Sequence, residues 1–284
     1  MVRRDPEALA GLGETADVHL VWQGRIRHPR VLNTAVAYVF PFWYLDPEGV
    51  YGASSLVGAP FDPGAVDAAA ARTFFARQCN RLVARRESRI AQKREPTALP
   101  RGAIAVFLQG WSEPTERLRH MTEAEMLGAV LADTGGRPVI VKPHPNTADP
   151  ETFELIAGLE GLPGVIVTDA NVHDMLAVAD LSVSLCSSVA LEGMLHRVPA
   201  VLFGRSDLHH CAQTVTRARD WPAARNWALS RDWPFEAFVH WFLAQNTINA
   251  GAPDLWARTL ARIAETTGIE ADALGLGALA DGAR

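Results

Sequence analysis

Through the middle of the chain, short apolar runs alternate with stretches whose apolar residues recur at helical spacing. Ala103–Leu108 (AIAVFL) is unbroken apolar sequence, the pattern of a parallel strand buried on both faces. Thr122 precedes Glu125 at capping-box spacing, and a helical pattern then runs to Leu131. Val139–Val141, Val165–Thr168, Leu181–Leu185 and Ala200–Phe203 predict further strands. Pro150–Leu159, Val172–Ala179 and Ser187–Arg197 predict the helices between them. Strands separated by short helices predict βαβ units and a parallel, doubly wound sheet. Ligands of such sheets bind beyond the carboxyl ends of the strands.

The first hundred residues are less regular. Val18–Trp22 and Val31–Phe40 predict strands, residues 45–64 a loop rich in Gly, Pro, Ser and Asp, and Ala65–Arg94 one long helix. That helix carries a basic run of Arg81, Arg85, Arg86, Arg89, Lys93 and Arg94. Glu95–Arg101 reads as a linker, dividing the chain into an N-terminal domain over 1–100 and a second domain over 101–284. Helices are expected at 235–246 and 253–266, in a tryptophan-rich tail that reads as core.

Composition narrows the function classes. The 284 residues are 48% hydrophobic and 21% charged, a globular balance. A net charge of −5 argues against a dedicated nucleic-acid binder. Three scattered cysteines make no disulfide framework and fit a reducing compartment. The charged opening stretch Met1–Gly11 has no apolar segment behind it, and no run reaches the ~18 apolar residues of a membrane span. A cytoplasmic protein is expected, with the basic run available for peripheral contact at the inner face of a membrane.

Three motifs could carry chemistry. Lys142-Pro143-His144-Pro145 follows a strand directly; the prolines end the strand and hold the imidazole at the sheet edge, where it can donate to a phosphate or carboxylate. Its ordinary alternative is a turn histidine. Cys186-Ser187-Ser188 stands between a strand and the helix that carries Glu192. Either serine suits an N-cap, and the free N–H groups there attract anions; plain capping with a solvated Glu192 is the competing reading. Tyr44-Leu-Asp46-Pro-Glu48-Gly sets two carboxylates in a constrained loop, suited to acid–base or nucleophilic work on sugars and equally to an ordinary turn. His209-His210-Cys211 lacks the second cluster a zinc site needs.

In this order the pieces resemble the bacterial capsule-polysaccharide synthesis proteins that act as Kdo (3-deoxy-manno-octulosonic acid) transferases, GT-B-like glycosyltransferases using a CMP-activated sugar. The resemblance runs from about Asp17 to Val215 and is best over Val139–Gly204. It is carried by VIVKPHPN, by the stretch from Asp169 to His210 containing the Ser-Ser helix start and Glu192, by YLDPEGVYGASS, and by VFLQGWSE.

The resemblance implies an α/β, GT-B-like fold of two Rossmann-like halves, the N-terminal half reduced and the C-terminal half a complete parallel sheet. It implies that His144, Ser187 and Ser188 hold the donor phosphate, with Lys142 adding positive charge, and that Glu192 binds the ribose. Gln109 matches the glutamine ending the interdomain strand, and Gly204 closes the motif's last strand. Asp46, Glu48, Glu113 and His144 are the catalytic candidates. No metal and no cofactor are expected, the CMP-sugar being a substrate; the acceptor would be a capsule or cell-surface polysaccharide or glycolipid, the transfer retaining by analogy. A GT-B enzyme with another nucleotide-sugar, or a non-catalytic relative that binds nucleotide or glycan in polysaccharide assembly, are the alternatives.

Overall fold

The computed structural model describes residue 11 and residues 17–280 except 111 and 148, with backbone alone for 113–115 and 280. The charged stretch read over Met1–Gly11 lies outside the described residues save for Gly11. Two compact units form, one from residues 1–60 and 241–284, the other from Phe61–His240.

The first unit holds a mixed sheet, with strands numbered along the chain. β1 (His19–Trp22) pairs parallel with β2 (Val31–Val36), which pairs antiparallel with β3 (Phe42–Asp46), and β10 (Ile248–Asn249) closes the order β1-β2-β3-β10. The apolar run read as one strand over Val31–Phe40 is therefore a strand and the turn into a second. Tyr38 stands at φ 65° in that turn, and Phe42–Asp46 returns along β2. Helix α9 (Leu255–Thr267) buries Leu260 and Ile263 against Leu32, Leu45 and Ile248. Tyr38, Tyr44, Tyr51 and Phe242 pack ring to ring, with centroids 5.4–6.3 Å apart.

The second unit carries the predicted doubly wound sheet, a six-stranded, wholly parallel array in the order β6-β5-β4-β7-β8-β9. Its strands are β4 (Ala103–Phe107), β5 (Val139–Lys142), β6 (Val165–Val167), β7 (Ala179–Ser184), β8 (Ala200–Leu202) and β9 (Gln213–Thr214). Every residue of β4 is buried, as an apolar strand covered on both faces must be. Helices α2 (Glu113–Leu118) and α3 (Glu123–Ala132) follow β4, α4 (Pro150–Ala157) follows β5, α5 (Val172–Leu176) follows β6 and α6 (Val189–Leu195) follows β7. The Thr122 capping box forms: its Oγ1 accepts from Glu125 N, and the Glu125 carboxylate accepts from Thr122 N. Met175 and Leu176 of α5 pack on Ala105, Phe107 and Ile140.

The long helix expected over 65–94 ends much earlier. α1 (Ala68–Gln78) runs into one wider turn over Cys79–Val83, and Arg86 at φ 55° turns the chain away. Its basic residues from Arg85 onward therefore lie on a turn and loop, and Arg81 alone stays in the helical segment. The division expected at Glu95–Arg101 and the observed one at 60/61 differ because of α1. It packs on α8 (Phe235–Val239), while Cys79–Val83 packs on α6, where the Cys79 thiol donates to Leu195 O at 3.4 Å.

Candidate functional site

β4 lies at the centre of the parallel sheet, with β5 on one side and β7 on the other. The chain reverses its winding at this strand, and such switch points open a crevice beyond the carboxyl ends. The register puts Phe107, Lys142 and Ser184 level. Two residues further on, each strand delivers a motif residue: Gln109, His144 and Cys186.

Gln109 ties the crevice together. Its Oε1 accepts from Cys186 N at 2.7 Å, and Nε2 lies 3.6 Å from the Cys186 sulfur. The Glu123 carboxylate accepts the backbone N–H groups of both Gln109 and Gly110. Burial pushes the Glu123 carboxyl up, and those two N–H groups work against the shift. Glu123 was not singled out from the sequence; the capping box at Thr122 located its helix start, but nothing local marks a first-turn carboxylate as the anchor of a distant loop.

His144 is half-buried, and its Nδ1 accepts from Asn146 N at 3.2 Å. A neutral ring that accepts at Nδ1 carries its proton on Nε2, a donor suited to an oxyanion. Burial lowers the pKa of this imidazole, and nearby Lys142 lowers it further, so the ring is neutral at pH 7. Lys142 itself is committed: its ammonium donates to Asp169 O at 3.0 Å and Ala170 O at 2.7 Å. Desolvation pulls its pKa down, and Asp169 opposes that.

Ser187 Oγ accepts from Val189 N at 3.2 Å and so caps α6. Ser188 takes helical angles and makes no cap bond with its side chain. Gly204 lies where a Cβ would stand 2.9 Å from Leu118 O and 3.0 Å from Leu185 O. Its bareness lets the Leu118–Arg119 backbone cross the end of β8, with Arg205 N donating to Leu118 O at 2.7 Å.

Glu192 is buried, which excludes the solvated glutamate of the plain-capping reading. Its side chain is 1% exposed, and Ser88 Oγ donates to Oε1 at 3.0 Å. Oε2 has no hydrogen-bond partner and sits 3.6 Å from His173 Nε2. His173 Nε2 is 2.8 Å from Glu87 O, an acceptor only, so this nitrogen carries the proton. His173 Nδ1 then accepts from His196 Nε2 at 2.9 Å. Burial raises the Glu192 pKa to about 7 and lowers that of His196 to about 4.

The first unit holds the other carboxylates. Asp46 ends β3, 4% exposed, with both oxygens occupied: Glu48 N, Gly49 N, Ser55 N and Ser55 Oγ all donate to it at 2.7–3.1 Å. It organises its loop. Glu48 is partly exposed and pairs with Arg27. In the second unit Glu113 is the first residue of α2, and its side chain lies outside the described residues. Among the described residues no group of three or more His, Cys, Asp and Glu could hold a metal ion, and no helix is long and apolar enough to cross a membrane.

No protein-family model matches the chain, and no curated protein matches it by sequence. Solved structures do resemble it. KpsC from Thermosulfurimonas dismutans, a beta Kdo 2,7 transferase, superposes with a TM-score of 0.52 at 16% identity, covering 77% of this chain and 75% of that one. The beta Kdo 2,4 transferase of KpsC from the same organism gives 0.50 at 16% identity, covering 73% and 70%. The chain thus has a glycosyltransferase-like α/β fold of the GT-B kind. Identity at this level carries the fold alone.

Proposed function

We propose that this protein is a glycosyltransferase that takes Kdo or a related acidic sugar from a CMP-activated donor and passes it to a capsule or cell-surface glycan. The observation that carries the reading is the set of groups brought level beyond the carboxyl ends of β4, β5 and β7. There a neutral imidazole with its proton on Nε2 follows β5, and two serines follow β7. A nucleotide phosphate leaves as an oxyanion, and donors already aimed at it stabilise the developing charge without reorganising. His144 Nε2 and the hydroxyls of Ser187 and Ser188 are the donors assigned to it. Gln109, held by Glu123, keeps the β4 and β7 ends at fixed spacing.

Lys142 acts at a distance, because two carbonyls already hold its ammonium. Glu192 reaches a ribose only after Ser88 leaves it. Asp46 takes no proton from an acceptor while four donors fill it. This saturation favours a second reading, a relative that binds nucleotide or glycan without transferring sugar.

The test is release of CMP from CMP-Kdo, with and without capsule glycolipid fragments. Acceptor-dependent release that disappears in His144→Ala supports transfer. Tight CMP binding with no release under any acceptor supports the second reading.

A further inference from the structure

The basic loop that replaces the end of the expected helix lines an open cavity of about 540 Å³. Four of its lining residues are cationic, Arg85, Arg86, Lys93 and Arg94, against one carboxylate, Glu87. The loop is built rather than slack. Asn171 Nδ2 donates to Arg86 O at 3.3 Å and to Lys93 O at 3.0 Å, drawing its two ends together. Asp174 accepts from Arg86 Nη2 at 2.8 Å and from Thr97 N at 2.9 Å.

The charge inside is not balanced. Asp174 answers Arg86 and exposed Asp169 answers Lys93, but among the described residues neither Arg85 nor Arg94 pairs with a carboxylate. Arg86 Nε is buried and has no acceptor. Its other two nitrogens are spent inside the loop, Nη1 on Arg94 O and Nη2 on Asp174, so the forks left for a ligand are those of Arg85 and Arg94. Planar forks of this kind match phosphate and carboxylate geometry. The same loop places Ser88 on Glu192.

We propose that the cavity lined by residues 85–94 is an oxyanion site, taking a phosphate or sugar carboxylate against Arg85 and Arg94. The site does not depend on the His144 crevice. The two unpaired arginines close on the occupant's oxygens, while Arg86 holds the loop that carries them.

Calorimetric titration at constant ionic strength tests this, with inorganic phosphate and free Kdo as separate probes on the full chain. Saturable binding of either probe is expected, weakened at least tenfold in the double variant Arg85→Gln/Arg94→Gln, whose side chains make no ion pair among the described residues and whose melting temperature should be unchanged. Affinity should be retained in His144→Ala. Phosphate binding alone identifies a phosphate site, and Kdo binding alone a carboxylate site. No saturable binding of either probe, or affinity that survives the double variant and is lost in His144→Ala, overturns the proposal.

Discussion

Gln109 and Cys186 join the carboxyl ends of the two central strands: the glutamine carbonyl receives the Cys186 backbone N–H at 2.7 Å across the switch point of the sheet. The bond is made by a side chain because the strands have already diverged there. Glu123 fixes the other end of that side chain by holding the Gln109 and Gly110 amides. Gln109→Ala leaves the Cys186 N–H without this acceptor. Unfolding in urea should show a loss of about 1–2 kcal/mol, and CMP affinity should fall with it. Unchanged stability and affinity would remove Gln109 from the account.

Glu192 makes stability depend on pH in a defined direction. Its pKa rises from 4.5 unfolded to about 7 folded, so the folded state holds the proton more tightly. The stabilisation is complete below about pH 4.5 and is lost as pH rises through 7. His196 acts oppositely: its pKa falls from 6.5 to about 4, so its contribution is lost as pH falls from 6.5 towards 4. Above pH 6.5 only the Glu192 effect remains of these two. Glu192→Gln should therefore gain on the parent protein between pH 4.5 and pH 8, by up to ~3 kcal/mol at about 1.4 kcal/mol per pKa unit. Parallel stability curves for the two proteins would refute the buried carboxyl.

Asp46 gathers four donors in a loop where the sequence suggested a catalytic base. Asp46→Ala strands those donors and should cost about 2–4 kcal/mol in chemical denaturation. Asp46→Asn, which keeps the shape and loses charge and one acceptor, should cost less. A variant that is fully stable yet inactive would return Asp46 to a catalytic role.

Gly204 has no space for a methyl group, since three backbone atoms lie within about 3.1 Å of where it would be. Gly204→Ala should destabilise by about 1–3 kcal/mol, read as a lowered melting temperature. A neutral substitution would mean that the Leu118–Arg119 crossing yields easily.

The parallel sheet was legible because its strands are short, apolar and punctuated. The apolar run Ala103–Leu108 stops at Gln109 and Val139–Lys142 stops at Pro143, and the helices that start at Glu123 and Pro150 carry visible caps. The first unit was harder to read because Val31–Leu45 is apolar almost without a break, so the reversal at Tyr38 has no polar marker. β9 and β10 are two residues each and exist only through distant partners. The basic loop looked helical because Arg, Lys, Gln and Ala favour helices locally. Asn171 and Asp174, some eighty residues away, tie it into a closed loop instead. For the same reason the motif residues were legible as types, while their state was not. The cover of Ser88 on Glu192 comes from a segment 104 residues away that sequence spacing does not connect, whereas the donors on Asp46 are local, and the turn they make was one of the two readings its loop allowed.

His144 should behave as a ligand contact and not as a support. His144→Ala should keep its melting temperature and lose at least tenfold in CMP affinity. Burial and Lys142 hold the imidazole pKa below 6.5, so affinity in the parent protein should rise as pH falls towards that value and the ring gains charge. Affinity that is flat with pH and equal in both proteins would separate His144 from the phosphate.

The most direct test of the central claim is thermal stabilisation of the intact protein by CMP, CDP, UMP, UDP and GDP, each with and without magnesium. A ligand that binds the folded state raises stability as RT ln(1 + [L]/Kd), about 2.7 kcal/mol at a hundredfold excess over Kd. A shift with CMP is expected that needs no magnesium and that exceeds the shift with any uridine or guanosine nucleotide. Stabilisation by UDP or GDP with none by CMP would contradict it.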